Sequence, residues 1–296
     1  MKWQIEKVES LEALQIEHKL VEKMAEVSGI VRNKRYEQLF VATEQQKVIG
    51  IGVCWLNEFH PTAVYFRIFI HDQVHNRNGV ADALFGHIKK GTIQQDKWIW
   101  SGWESNQYRC EFLDRNGFQL MRKPCMPVLK VADIEKYSAP LELPDNCLSL
   151  HEVLNNLRLK ESFLNLLKET YTATHQINPV STYSLDEWEE ILLKDSPDTE
   201  HSLVCLHPSE PHRIEGYIML HSINHQKYEV GWLGERDGAE PDLLQRLFKR
   251  QLESLKEKGV EELELEVDTT DWHAMKLFDF LNFEEYDAWK TYLLIG

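Results

Sequence analysis

Residues Val64–Phe85, VYFRIFIHDQVHNRNGVADALF, join an apolar strand to an amphipathic helix through a short polar turn. Val64–Ile70 is dominated by β-branched and aromatic residues, whereas Val80, Ala81, Leu84, Phe85 and Ile88 recur at helical spacing. Between the two lies Asn76-Arg77-Asn78-Gly79-Val80-Ala81. A glycine at such a junction lets backbone N–H groups crowd around an anion, and the helix N-terminus adds a partial positive charge. The turn reads as a place to hold a phosphate. The plainer reading of Asn78-Gly79 is a tight turn into a packed helix.

Outward from this stretch the first half forms an ordered series. WQIEKV opens as a strand, and helical sequence runs from Leu11 to about Ser28. Leu39–Thr43 and Val48–Trp55 are strand patterns joined by the polar turn EQQK, which predicts a hairpin. Beyond the helix, Lys97–Trp103 alternates as a strand and Gln107–Asn116 is a short helix. Gly117 stands where a C-terminal glycine stop belongs. Phe118–Val131 supplies the last strand or strands, with Pro124 and Pro127 suited to an edge, a bulge or a turn.

Residues 132–146 are polar, hold two prolines and read as a linker between domains at 1–131 and 147–296. Past them the same order returns with little residue identity. Leu148–Val153 predicts an opening strand, Leu157–Thr172 and Ser184–Leu193 helices, and Ser202–Leu206 with Ile214–Ile223 a hairpin around HPSEPHR. Tyr228–Leu233 is a strand, and Leu243, Leu244, Leu247, Phe248 and Leu252 line a helix that Gly259 ends. Leu263, Leu265 and Val267 alternate with Glu262, Glu264 and Glu266 as a half-buried strand. Trp272–Leu281 is a helix, and Phe283–Leu294 closes the series. The glycine turn is missing from this copy. In its place stands GERDGAEPD, where Glu235, Asp237, Glu240 and Asp242 oppose an anionic ligand and Pro241 offers no N–H.

Bulk properties narrow the function classes. A chain of 296 residues is long for one core, and two domains are expected. A formal charge of −15 argues against nucleic acid, whose phosphates need a basic face. No apolar run approaches the roughly 20 residues that cross a bilayer, so no membrane partner is expected. The N-terminus lacks an apolar signal-peptide core, and five dispersed cysteines without a CxxC pair fit reduced thiols in a cytoplasm. Cys205, His207 and His212 straddle a hairpin without a fourth ligand, so no metal site is expected.

Strand, hairpin, strand, glycine turn, helix, strand, then a short helix ending in Gly-Phe: this order resembles the GNAT superfamily of N-acetyltransferases. The family's acyl-CoA loop is written Q/R-x-x-G-x-G/A, and Asn76–Ala81 matches it at Gly79 and Ala81 and departs at Asn76. A later family segment runs Asn-x-x-Ala to Gly-Phe. Asn106, Phe112 and Asn116-Gly117-Phe118 fit it, with Arg109 in place of the alanine. The second copy is a worn version, with Val267-Asp268, Asp271, Ala274, Leu277-Phe278 and Asn282-Phe283. Its Val230-Gly231-Trp232-Leu233-Gly234 also looks like a family strand leading into the loop.

The resemblance implies an α/β fold of two GNAT-like domains. Each would be a mixed, mostly antiparallel sheet flanked by helices, with splayed parallel central strands. It implies acetyl-CoA as cosubstrate, with its pantetheine arm pairing like an added strand between Phe66–His71 and Lys97–Trp103. The diphosphate would rest on the N–H groups of Arg77, Asn78, Gly79, Val80 and Ala81, with Asn76 leading the turn and the Arg77 side chain adding charge. Asn106 would bond the pantetheine amides. A backbone N–H at Phe69, Ile70 or His71 would polarise the thioester carbonyl. His71 and Glu104, at the ends of their strands, are the candidates to accept the amine proton.

Trp98 and Trp100 read as core, and Trp103 as a residue able to line an acceptor pocket. The tyrosine that many family members use as general acid falls at Leu113, and at Phe278 in the second copy. Tyr108 lies five residues before Leu113, about 140° around a helix, and substitutes poorly. The function expected is therefore transfer of an acetyl group to a small-molecule or protein amine by direct attack in a ternary complex. The rival from another class is a non-catalytic acyl-CoA-binding or interaction module. Sequence leaves the acceptor and the oligomeric state open.

Overall fold

The computed structural model describes residues 3–91, 94–137, 146–281 and 288–296. Strand β1 (Gln4–Lys7) is followed by α1 (His18–Lys23), a 3-10 turn at Ala25–Val27 and α2 (Ser28–Arg32). The hairpin of β2 (Gln38–Glu44) and β3 (Lys47–Leu56) leads to β4 (Ala63–Ile70) and α3 (Arg77–Lys90). Then come β5 (Lys97–Trp103), α4 (Gln107–Arg115), β6 (Gln119–Arg122), β7 (Val128–Lys130) and a 3-10 helix at Val131–Tyr137. The second half contains β8 (Cys147–Ser149), α5 (Leu150–Leu154), α6 (Leu157–Thr174) and α7 (Leu185–Asp195). It continues through β9 (Leu203–Leu206), β10 (Ile214–Ser222), β11 (Lys227–Glu235) and α8 (Leu243–Glu257). It ends with β12 (Glu262–Leu265), α9 (Trp272–Leu281) and β13 (Trp289–Ile295).

Two local expectations are corrected. The first helix starts at His18 and not at Leu11, because Leu11, Leu14 and Ile16 pack as irregular chain against the core beside β2 and β3. The opening strand of the second half stops at Ser149, whose hydroxyl and backbone form a capping box with Glu152 and start a helix there. The EQQK turn is a two-residue hairpin connection, with Gln45 and Gln46 at φ +50° and +65°. Positive φ at both central positions matches the right-handed twist of the flanking strands. Of the linker expected at 132–146, Ile134 is buried in a core and 138–145 lie outside the described residues.

The chain divides into two compact units. The first contains Met1–Met121, Asn178–Ser181 and Trp289–Gly296, and the second Arg122–Ile177 and Thr182–Ala288. The first sheet runs in the order β1-β2-β3-β4-β5-β13-β6, and the second β7-β12-β11-β10-β9-β8. Each has one parallel pair at its centre. Ala63–Tyr65 pairs with Lys97–Ile99 in the first, and Lys227–Val230 with Glu262–Leu265 in the second. Beyond those residues the parallel strands part. Next to each parallel pair lies a strand from the other end of the sequence order. β13 flanks β5 antiparallel through seven registered positions, and β7 flanks β12.

In the first unit, side chains alternate across β4. Phe66 and Ile70 face α3, where Phe85 packs among Phe66, Trp98, Phe112 and Phe118. Phe69 faces the other way, into a core of Leu20, Met24, Val27, Leu39, Ile51 and Val53. Burying each such side chain stabilises the fold by about 1.5–3 kcal/mol. The second unit is built likewise, with Leu244, Leu247, Phe248 and Leu252 of α8 packed on Val230, Leu263 and Leu265. Among the described residues no helix is long and apolar enough to cross a membrane.

One ionic cluster ties the second unit together. Asp198 accepts from the Tyr228 hydroxyl at 2.9 Å and Lys258 Nζ at 3.1 Å, and faces His201 Nδ1 at 2.9 Å. Burial alone would push this carboxyl up, but the bonds from His201, Lys258 and Tyr228 outweigh it and hold the group well below the usual range. A depressed folded pKa adds stability at neutral pH that is lost as pH falls below the unfolded value of about 3.9. Asp198→Asn is therefore expected to cost about 1.5–3 kcal/mol at pH 7. The gap from the parent should begin to narrow below about pH 4, as read from urea midpoints between pH 7 and 3. A gap that stays constant over that range would contradict this assignment.

Candidate functional site

The Asn76–Ala81 turn is the N-terminus of the 14-residue helix α3. Asn76 is its N-cap, and its Oδ1 accepts from Gly79 N–H at 3.0 Å. Val80 N–H donates to Asn76 O at 3.1 Å. The glycine has a local cause: a Cβ at 79 would meet Asn76 Nδ2 at 2.5 Å, inside the cap. Of the five N–H groups expected to face a phosphate, those of Gly79 and Val80 are thus engaged and that of Ala81 belongs to the helical ladder, while helix geometry leaves Arg77 and Asn78 without an intrahelical acceptor. The Arg77 guanidinium stacks 4.1 Å from the Tyr108 ring centroid and lies 3.5 Å from Asp72. Arg77 Nε and the Tyr108 hydroxyl are buried without hydrogen-bond partners. Orphaned donors beside a cation and a helix N-terminus fit an anionic oxygen, so the residues here suit a diphosphate.

The open edge of β4 is less free. Its register with β3 is regular, and His71 N–H donates to Ile49 O at 2.9 Å. By alternation Phe69 also faces β3, so of the three N–H groups expected at the carbonyl only that of Ile70 points to the gap beside β5. Two carbonyls along this gap have donors from the chain itself. Lys23 Nζ bonds Ile70 O at 3.2 Å, and Arg67 Nη1 bonds Phe66 O at 2.9 Å.

Arg67 belongs to a cluster that no motif announced. Its guanidinium lies over Trp100 at 5.2 Å and Trp55 at 5.7 Å, and that of Arg109 over Trp100 at 5.6 Å and Phe69 at 5.9 Å. Both pair with one carboxylate, Glu26, at 3.4 and 3.3 Å. Arg67 is only 8% exposed, and burial pulls its pKa down against the opposing pull of Glu26. Trp100 is core as expected, yet its ring also floors this cluster. Trp103 is exposed and meets Trp289 edge-on at 5.2 Å. The available signal was a lone arginine within the apolar strand AVYFRIFI, together with an arginine at the family's alanine position.

The proton-transfer candidates are placed apart. His71 is buried, with Nε2 2.9 Å from Glu17 Oε2 and Nδ1 accepting from Gln73 N–H. Glu104 pairs with Lys290 of β13 at 2.9 Å. Asn106 caps α4 through Arg109 N–H at 3.3 Å, which leaves its amide nitrogen to donate elsewhere. Leu113 is fully buried and can supply no proton. A tyrosine reaches the same helix from the chain's end: Tyr292 hydroxyl donates to Cys110 Sγ at 3.8 Å, and its ring lies 6.5 Å from Trp100.

In the second unit the corresponding strand carries a β-bulge. Leu220 opposes Val230 while Ile218 opposes Leu233, so Gly231 and Trp232 together face Met219. The ring of His221 covers Gly231, where a Cβ would meet it at 2.3 Å. The acidic loop is partly neutralised. Glu235 turns inward to Lys276, and Glu240 and Asp242 pair with Arg246. Asp242 makes no side-chain cap on α8. His273 is buried with neither ring nitrogen hydrogen-bonded, and burial lowers its pKa to about 4. Asn282 and Phe283 lie outside the described residues.

No family model matches the chain, and no curated protein matches it in sequence. Solved structures do. Similarity covers 99% of this chain and 95% of a GCN5-related N-acetyltransferase from Sphaerobacter thermophilus, with TM-score 0.61 at 13% identity. It covers 99% of this chain and 98% of a tandem GNAT protein from the clavulanic acid biosynthesis pathway, with TM-score 0.55 at 12% identity. A conserved protein of unknown function from Enterococcus faecalis V583 is similar over 100% of this chain and 73% of its own, with TM-score 0.52 at 10% identity. Identities this low speak for the fold.

Proposed function

We propose that this chain, folded end to end as a tandem pair of GNAT-type domains, is an N-acetyltransferase that moves an acetyl group from acetyl-CoA to an amine. The observation that carries the reading is the start of α3, where Arg77 Nε and the Tyr108 hydroxyl are buried donors without partners beside a helix N-terminus. There Arg77, Asn78 and the turn held by Asn76 and Gly79 take the diphosphate, with Val80 and Ala81 packing the helix beneath it. The Ile70 N–H stands toward the gap as the group to polarise the thioester, which supplies the activated acyl group. The neutral amine attacks directly. His71 with Glu17, or Glu104 with Lys290, receives its proton, and the Tyr292 hydroxyl takes the acid's role that Leu113 cannot fill. The second unit, with its acidic loop at 235–242, serves as a degenerate copy. A cytoplasmic setting suits the free cysteines.

A non-catalytic acyl-CoA-binding module is favoured by one observation: Leu113, fully buried, stands where a general acid is expected and can supply no proton. Two measurements separate the readings. Acetyl-CoA should raise the melting temperature, which shows binding. Free thiol should then appear when an amine panel is added. Stabilisation without turnover on any amine would favour the module, and no stabilisation at all would remove both.

A further inference from the structure

We propose that Arg67, Glu26 and Arg109 form the acceptor site, and that it takes an amine carrying a carboxylate, the amino-acid class. The proposal rests on the acetyltransferase reading and names the substrate of that site. Arg67 sits in an apolar strand and is more than nine-tenths buried. Its Nε lies 3.4 Å from Glu26 Oε2 but off hydrogen-bond direction, so this buried N–H is held by charge and not by a well-directed bond. A structural pair would not need this arrangement, since buried ion pairs are replaced by apolar residues at little or no cost in stability. The chain instead sets one buried and one partly exposed guanidinium against a single carboxylate, which leaves one positive charge in excess.

That excess selects the ligand. An amino acid in its reactive form has a neutral amine and an ionised carboxylate, hence one negative charge. Its carboxylate matches the planar fork of a guanidinium, the strongest geometry for such recognition. Glu26 offers the amine a hydrogen-bond acceptor, and the partly exposed ring of Trp55 offers the side chain an apolar neighbour. A polyamine would bring positive charge to a site already positive. The cluster is reachable, because the Glu26 and Arg109 side chains are 27% and 25% exposed.

The test uses the full chain with L-amino acids and their carboxamides as matched pairs, plus spermidine. Thiol release from acetyl-CoA should favour the acids by about 10- to 100-fold in kcat/KM, as expected for charge-assisted hydrogen bonds. In Arg67→Gln and Arg109→Gln the acid-to-amide ratio should fall toward one, through KM. Arg109 is partly exposed and provides the informative variant if Arg67→Gln fails to fold. Melting shifts with each acid and amide, without acetyl-CoA, give a second readout. Equal turnover of acids and amides, or a preference for spermidine, overturns the acceptor assignment and leaves the acetyltransferase reading standing. Stabilisation by acids alone, lost in the variants, with no turnover on any amine supports the site and overturns the reaction. Neither effect overturns both.

Discussion

Deleting Trp289–Gly296 is expected to abolish acetyl-CoA binding, although these residues are more than 180 positions from Asn106. β13 lies between β5 and β6 in the first sheet, so its loss exposes one and strips the other of its neighbour. Gone with it are the Tyr292 ring in the core, the Thr291–Ser101 hydroxyl pair, the Lys290–Glu104 pair and the Trp289–Trp103 contact. Backbone bonds at about 0.5–1.5 kcal/mol each and buried side chains at about 1.5–3 kcal/mol each sum to a large part of a domain's stability. The truncated chain should show no acetyl-CoA melting shift, and a peptide of residues 288–296 added in trans should restore part of it. A truncated chain that binds acetyl-CoA like the parent would show that β13 is dispensable.

Gly79→Leu is expected to raise the acetyl-CoA dissociation constant on the order of 100-fold, about 2.7 kcal/mol, with the fold retained. The new Cβ would fall within 2.5 Å of Asn76 Nδ2, so the cap must leave Gly79 N–H. Loss of a cap costs about 0.5–2 kcal/mol, and the displaced amide then crowds the Arg77 and Asn78 donors. Asn76→Ala separates these effects: it removes the cap and keeps the access open, so its effect on affinity should be smaller. Titration calorimetry with far-UV circular dichroism reads both. Parental affinity in Gly79→Leu would move the cosubstrate out of the first unit.

Much of the fold was legible because apolar periodicity reports burial directly. The helix at Val80–Ile88, the strand at Lys97–Trp103 and the stop at Gly117, which takes φ +79°, all follow from local chemistry. The start of α1 was not, since Leu11 and Leu14 have helical spacing but spend it on a turn against the core. The placement of β7 and β13 was not legible either, because strand patterns state which face is buried and not which sheet receives it. For the site, the turn at Asn76–Ala81 could be located, but not the donors it keeps. Whether an N–H is free depends on where Asn76 points. Arg67 escaped notice because a charge in a strand has meaning only once Glu26, Arg109 and Trp100 converge on it from distant positions.

The exchanged strands also impose an order on synthesis. As the chain leaves the ribosome, β1 to β6 emerge first, yet their sheet lacks the strand between β5 and β6 until residues 289–295 are made. β7 emerges early and waits for β12. The half translated first is therefore the half completed last, and it spends translation with the flank of β5 open to wrong partners. A gene cut at the linker would yield two fragments, each carrying the strand that the other requires.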